Sequence, residues 1–195
     1  MSTRTLRRLS TAVALFAAGL ATAAAQAGSP ATVAKVYEAF SYHGVVIPHA
    51  QVVSGYCTGS SAATKRVDAW RCVEGASIQD PCFSSEFANG VVCPTPWNNA
   101  AVEITLTKPL PKATNQSSPS LRMQPWAIQL ASGAGCIYSS TTTTRVHGTR
   151  LDYVCSAKLG LWGFPNRKKR TWTILSAPPN ATSLSRRAAI LHAWM

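Results

Sequence analysis

Along Val102-Glu-Ile-Thr-Leu-Thr-Lys108, the apolar residues Val102, Ile104 and Leu106 take turns with Glu103, Thr105 and Thr107. A period of two puts successive side chains on opposite faces, so the run predicts a strand with one wet face. Trp126-Ala-Ile-Gln-Leu130 repeats the pattern, Ser132-Gly-Ala-Gly135 permits a reversal, and Cys136-Ile-Tyr-Ser-Ser140 carries the chain back. Leu151-Asp-Tyr-Val-Cys155 alternates as well, and Thr171-Trp-Thr-Ile-Leu175 is rich in residues that suit a pleated surface. Arg187 to Trp194 fits a closing strand or a helix. A helical spacing occurs once elsewhere: Ser29-Pro30 supplies a cap and a first-turn proline ahead of Val33, Val36, Tyr37 and Phe40. The polar stretch between Pro109 and Pro125 reads as an exposed loop.

The amino end sets the compartment. Met1 to Arg8 carries three arginines and no acid, Leu9 to Ala25 is mostly apolar, and Ala25-Gln26-Ala27 offers small residues two apart. This is the pattern of a secretory signal peptide over residues 1–27, and no stop-transfer signal flanks it. The expected product is secreted, into the extracellular or cell-envelope space, with no stable membrane insertion after cleavage. An N-terminal extension bearing the short helix is expected over 28–54, and one β-rich domain over 55–195.

Export changes how the cysteines are read. All six, Cys57, Cys72, Cys82, Cys93, Cys136 and Cys155, follow the cleavage site. In an oxidising compartment an even set is expected to pair, and six allow fifteen connectivities. A sequential scheme is expected: Cys57 with Cys72, Cys82 with Cys93, and Cys136 with Cys155. Turn signals at Asn89-Gly90 and His147-Gly148 fold the second and third segments back on themselves. Separations of 15, 10, 11, 43 and 19 residues lack the close ligand pairs of a zinc ribbon, so no metal is expected. The fold class is therefore mainly β: a small disulfide-stapled β-sandwich or partly open β-barrel with a short N-terminal helix.

Two of the seven acids stand beside cysteines, at Asp68 and Asp80. Asp80 before Pro81 suits the cap of a turn or short helix. Asp68 can pair with Arg66 or Arg71. Neither needs a catalytic role, although Asp68, Asp80, Glu86 and Glu103 are the acids from which an acid/base pair could be built. No Gly-x-Ser-x-Gly elbow, His-Glu-x-x-His, P-loop or Gly-x-Gly-x-x-Gly occurs, and no cofactor is implied. His43, His49, His147 and His192 are scattered. Asn115-Gln-Ser117 and Asn180-Ala-Thr182 match glycan acceptors.

Charge supplies the strongest surface signal. The chain carries 19 basic and seven acidic residues, and loss of Arg4, Arg7 and Arg8 with the leader still leaves an excess of nine positive charges. Four cations are consecutive: Arg167, Lys168, Lys169 and Arg170, with Trp172 close behind and Trp162 and Phe164 ahead. Their place between the strand-like segments Leu151 to Cys155 and Thr171 to Leu175 predicts the tip of a long hairpin loop, where cations attract phosphate, anionic glycans or acidic envelope polymers and aromatic rings add stacking. The plainer reading is a solvated tip that discourages edge association. Nucleic acid is a weaker fit, because no recognition module accompanies the cations.

The ordered set DAWRC, DPCF, VVCP, PWAIQLASGAGC, DYVCS and WTIL, spanning about Gly55 to Leu175, resembles a group of secreted, cysteine-rich bacterial proteins frequent in actinobacteria. That resemblance implies a common exported fold and brings no catalytic residue with it. The expected function is a secreted, non-enzymatic binding or cell-envelope-associated module that contacts an anionic cell-envelope or glycan polymer through the basic loop. A secreted hydrolase without a sequence signature, and an inhibitor or toxin that presents a rigid loop to a protein partner, are the alternatives.

Overall fold

The computed structural model describes residues 30–41, 44–45, 50–85, 89–156 and 158–195. The segment 1–27 expected to be a signal peptide, His43, His49 and Glu86 lie outside these residues. In chain order the strands are β1 (Val33–Lys35), β2 (Phe40–Ser41), β3 (Gly44–Val45), β4 (Gln51–Ser60), β5 (Ala69–Glu74), β6 (Ser77–Ser84), β7 (Gly90–Thr95) and β8 (Ala100–Leu106). They continue as β9 (Ala127–Leu130), β10 (Gly135–Tyr138), β11 (Arg145–Val146), β12 (Thr149–Cys155), β13 (Gly160–Asn166), β14 (Thr173–Ala177) and β15 (Arg186–Trp194).

No helix occurs among the described residues, which corrects the expectation for the segment after Ser29-Pro30. Val33–Lys35 instead lies parallel to β15, with Val33 opposite His192 and Lys35 opposite Trp194. The reason is tertiary. A helix of a few turns is marginal on its own, whereas β15 offers main-chain partners beyond the stretch that β14 covers, Arg186 to Ala189. The Thr32 hydroxyl adds a bond to the Ile190 carbonyl at 2.6 Å, and Tyr37 and Ala39 become buried. Arg187 to Trp194 is strand, not helix.

The strands form two closed rings. β4 to β8 pair consecutively and antiparallel, and β4 then lies parallel to β8, with Val53 opposite Ile104, to complete a five-stranded barrel. β9, β10, β12, β13, β14 and β15 form the second, which closes where β15 pairs with β9, Ala193 opposite Ile128. The sheets are thus neither a sandwich nor a partly open barrel. Closure leaves no unpaired sheet edge within either ring, which removes the hazard of edge association there.

Three disulfides join Cys57 to Cys72, Cys82 to Cys93 and Cys136 to Cys155, in agreement with the sequential scheme. Each links neighbouring strands: Cys57 lies opposite Cys72, and Cys136 opposite Cys155. At His147-Gly148 both residues take positive φ, 46° and 78°, and Val146 pairs with Thr149 across them. Two left-handed residues in a two-residue loop match the twist of the strands they join, and glycine takes the second position without steric cost. The first barrel encloses Cys57, Trp70, Cys72, Cys82, Val91, Cys93 and Ile104. The second encloses Ile128, Leu130, Tyr153, Leu161, Ile174 and Ile190 with its one disulfide.

A third core sits between the barrels. Phe83, Val92 and Ala101 from the first meet Trp126, Ala127 and Trp194 from the second, with Tyr37 and Ala39 between them. Ala101 on β8 and Ala127 on β9 point away from their own barrel interiors, yet both are buried in the seam, while Thr105 farther along β8 faces solvent. Gly135 on β10 is required here, since an added Cβ would lie 2.1 Å from the Trp97 ring.

Arg66, only 3 % exposed, pins the seam. Its fork donates to Asp68 through Nε at 2.9 Å and Nη2 at 2.6 Å, and its Nη1 reaches the main-chain oxygens of Tyr37 and Met195. Asp68 is therefore the structural partner of Arg66. Asp80 also caps, but not its own turn: it lies within β6, accepts the Ser61 hydroxyl at 2.5 Å and the Ala62 N–H at 3.2 Å, and so fixes the loop after β4. The connection from β8 to β9 lies against that loop. Ser60 Oγ accepts the Thr114 and Asn115 N–H groups, and the Asn115 side-chain amide donates to the Ser61 and Thr64 carbonyls. The amide of this glycan-acceptor asparagine is thereby engaged in holding the loop.

Candidate functional site

The basic run occupies residues 167–170, at the turn of the β13–β14 hairpin. The strand preceding it is β13, which the sequence reading passed over. Gly163, at φ +69°, interrupts the regular β13–β14 register between Trp162 and Asn166. Arg167 turns back: Nη2 donates to the Met123 carbonyl at 2.5 Å and to Gln124 Oε1 at 3.2 Å, and Nη1 reaches the Leu121 carbonyl at 3.3 Å. Its guanidinium lies 4.6 Å from the centre of the Trp172 ring. Burial pulls the Arg167 pKa below the usual guanidinium value, opposed by the nearby Tyr153.

Trp172 is held from the other side. Its N–H donates to Thr32 Oγ1 at 2.7 Å, and its ring packs against the core of the second barrel. Thr32 N–H in turn reaches the Arg170 carbonyl at 3.0 Å, and the Thr171 hydroxyl reaches the Pro30 carbonyl at 2.9 Å. Asn166 Oδ1 accepts the Lys168 N–H at 3.1 Å, a local bond of the kind that fixes a turn. The five residues singled out by sequence thus divide by role. Arg167 and Trp172 brace the hairpin, while Lys168, Lys169 and Arg170 are exposed at its tip and form no ion pair among the described residues.

Beneath the hairpin lies a hollow of about 350 Å³ at the seam. Thr64 and Lys65 come from the first barrel's loop, Gln124 and Pro125 from the segment held by Arg167, and Tyr138 and Phe164 from β10 and β13. Phe164 is 50 % exposed, and its ring lies almost parallel to that of Tyr138, 9° between planes and 6.3 Å between centres. Sequence reasoning offered Phe164 as a stacking candidate but could not find Thr64, Lys65, Gln124 or Tyr138, which meet only through the packing of the two barrels. Trp162, the other stacking candidate, is buried.

A second cleft at the seam is lined by Arg71, Asp80, Tyr138, Ser139 and Thr141, with Ile78 and Val154 at its sides. Burial raises the Asp80 carboxyl above its ordinary value, against the lowering pull of Ser61, the loop N–H groups and Arg71. The pairing of Asp80 with Ser61 is not a nucleophile and its base. Ser61 is buried, and its oxygen already accepts the Ala63 and Thr64 N–H groups at 3.1 Å each. Neither Asp68, bound to Arg66, nor Glu103, on β8, joins Asp80 in this lining. His147 occupies its turn, and His192 lies against Trp194. Among the described residues no three of His, Cys, Asp or Glu gather in a way that could hold a metal ion. Comparison with protein-family models, curated proteins and solved structures finds no match to this chain.

Proposed function

We propose that the chain acts, after export, as a non-enzymatic binding module that contacts an anionic cell-envelope or glycan polymer through Lys168, Lys169 and Arg170. The observation that carries this reading is a braced turn whose three outward cations have no acidic partner among the described residues. Main-chain bonds to Thr32 and Asn166 already restrict the turn, so less ordering is needed when a polymer binds. Attraction at such a tip is electrostatic and screened over about 8 Å at physiological salt, which makes it weak singly and strong only along a repeating anion. Three disulfides support placing the chain in an oxidising compartment.

The test is cosedimentation of the secreted protein with anionic cell-wall polymer across a salt series. The variant K168S/K169S/R170S keeps Arg167, and so keeps the brace. It is expected to bind at least about tenfold more weakly at low salt and to lose about two to three from the slope of log affinity against log salt. Unchanged affinity and slope would remove the tip from the reading.

A further inference from the structure

The hollow beneath the hairpin contains features that attraction of anions alone does not use. Phe164 exposes half of an aromatic ring beside Tyr138, in a basic hairpin where solubility would favour a polar side chain. Gln124 lends its carbonyl oxygen to Arg167, and its amide N–H₂ has no partner among the described residues. The Lys65 ammonium is likewise unpaired and exposed. Thr64 lies in the lining, and Arg167 holds the Gln124 wall through its bond to Gln124 Oε1.

We propose that this hollow receives a sugar ring, so that the polymer attracted by the tip is an anionic glycan. This rests on the binding reading above and specifies its ligand class. A pyranose presents a face of C–H groups and an equator of hydroxyls. The C–H face suits the negative face of Phe164, and the hydroxyls can accept from the exposed Gln124 amide and the Lys65 ammonium. The acidic groups of the same chain then extend to Lys168 and beyond. Lys168 is four residue steps beyond Phe164, a span of at most about 13 Å along an extended strand, so ring and cations serve one short stretch of polymer. A polymer of acidic amino acids satisfies the cations and leaves the ring and the hydroxyl partners unused.

The experiment compares polygalacturonate, hyaluronate and heparin with poly-L-glutamate and single-stranded oligothymidylate, by fluorescence anisotropy on the whole secreted protein. At least one glycan is expected to bind more tightly than poly-L-glutamate. Phe164→Ala is expected to weaken that glycan about three- to tenfold and to leave poly-L-glutamate within about twofold, while Phe164→Trp keeps the platform and the affinity. Phe164 is half exposed, so its removal does not open a core. Equal losses on glycan and poly-L-glutamate overturn the inference, as does the lack of any glycan preference. Tighter binding of oligothymidylate, equally dependent on Phe164, assigns the ring to a base and overturns it as well. If K168S/K169S/R170S has no effect while Phe164→Ala weakens the glycan, the tip reading fails and the sugar site stands.

Discussion

The two barrels solve the same problem with different materials. Around the interior of the first, four of the seven buried residues are half-cystines, accompanied by Trp70, Val91 and Ile104. The second has Ile128, Leu130, Leu161, Ile174 and Ile190 packed about Tyr153, with a single disulfide among them. A ring of five strands encloses less volume than a ring of six, and fewer aliphatic side chains fit inside it. Covalent links then replace burial, as they do in small exported domains generally. The consequence extends to the candidate site. The hairpin that carries Lys168 to Arg170 springs from the aliphatic barrel, whereas the sulfur-rich barrel contributes the Asp80-capped loop with Thr64 and Lys65.

The sharpest way to break this comparison is to remove the sulfur. Each bridge closes a loop of similar length, so each should contribute about 3 kcal/mol. Replacing Cys57, Cys72, Cys82 and Cys93 by Ser is expected to abolish hydrogen-exchange protection throughout β4 to β8. Replacing Cys136 and Cys155 should lower stability to urea by about 3 kcal/mol and leave a folded second barrel. Equal loss of protection in both barrels would show that the aliphatic core has no independence.

A smaller effect is expected at the pin between them. Arg66→Ala leaves Asp68 and the Tyr37 and Met195 oxygens without their donor, at a cost of about 3 kcal/mol. Calorimetry should then resolve two transitions in place of one. Arg66→Lys should not restore the single transition, because an ammonium cannot make the two-pronged bond to Asp68 while reaching the carbonyls.

The smallest effect concerns pH, and each barrel contains one reporter. Burial raises the carboxyl of Asp80 in the first and of Asp152 in the second, the latter opposed by Arg150 and Arg145. The folded state therefore holds these protons more tightly than the unfolded one. Between the ordinary value of 3.8 and each raised value, stability falls as pH rises, and above that window the contribution is constant. Urea midpoints across this range should show a shallower decline in Asp80→Asn and in Asp152→Asn. If Asp80→Asn leaves the profile unchanged, its carboxyl is better solvated than the capped loop implies.

Some of this was legible in residue order because the signals are local. The alternation at Val102 to Leu106 and at Leu151 to Cys155 gave strands, since side-chain period depends only on the backbone. His147-Gly148 marked its own turn, because only a few residues accept two left-handed positions in succession. The sequential disulfides were accessible for the same reason: hairpins bring near neighbours together. Val33 to Phe40 misled because its helical spacing competes with an edge of β15, about 160 residues away, which no local pattern records. The basic run pointed to a hairpin tip, but it could not separate Arg167 and Trp172, which brace, from the three cations that face solvent.

Composition, charge and short-range pattern by themselves determined a cross-linked, cationic β-protein with a basic turn, because each of those properties is set by neighbouring residues. Only the tertiary structure decided that the sheets close into two barrels, that Arg66 fastens them, and that Thr64, Lys65, Gln124, Tyr138 and Phe164 share one hollow. The physical reason is distance along the chain. Ring closure, seam packing and the burial of Arg66 depend on encounters between residues tens to more than a hundred positions apart, whose free energy depends on all the surrounding elements being in place at once.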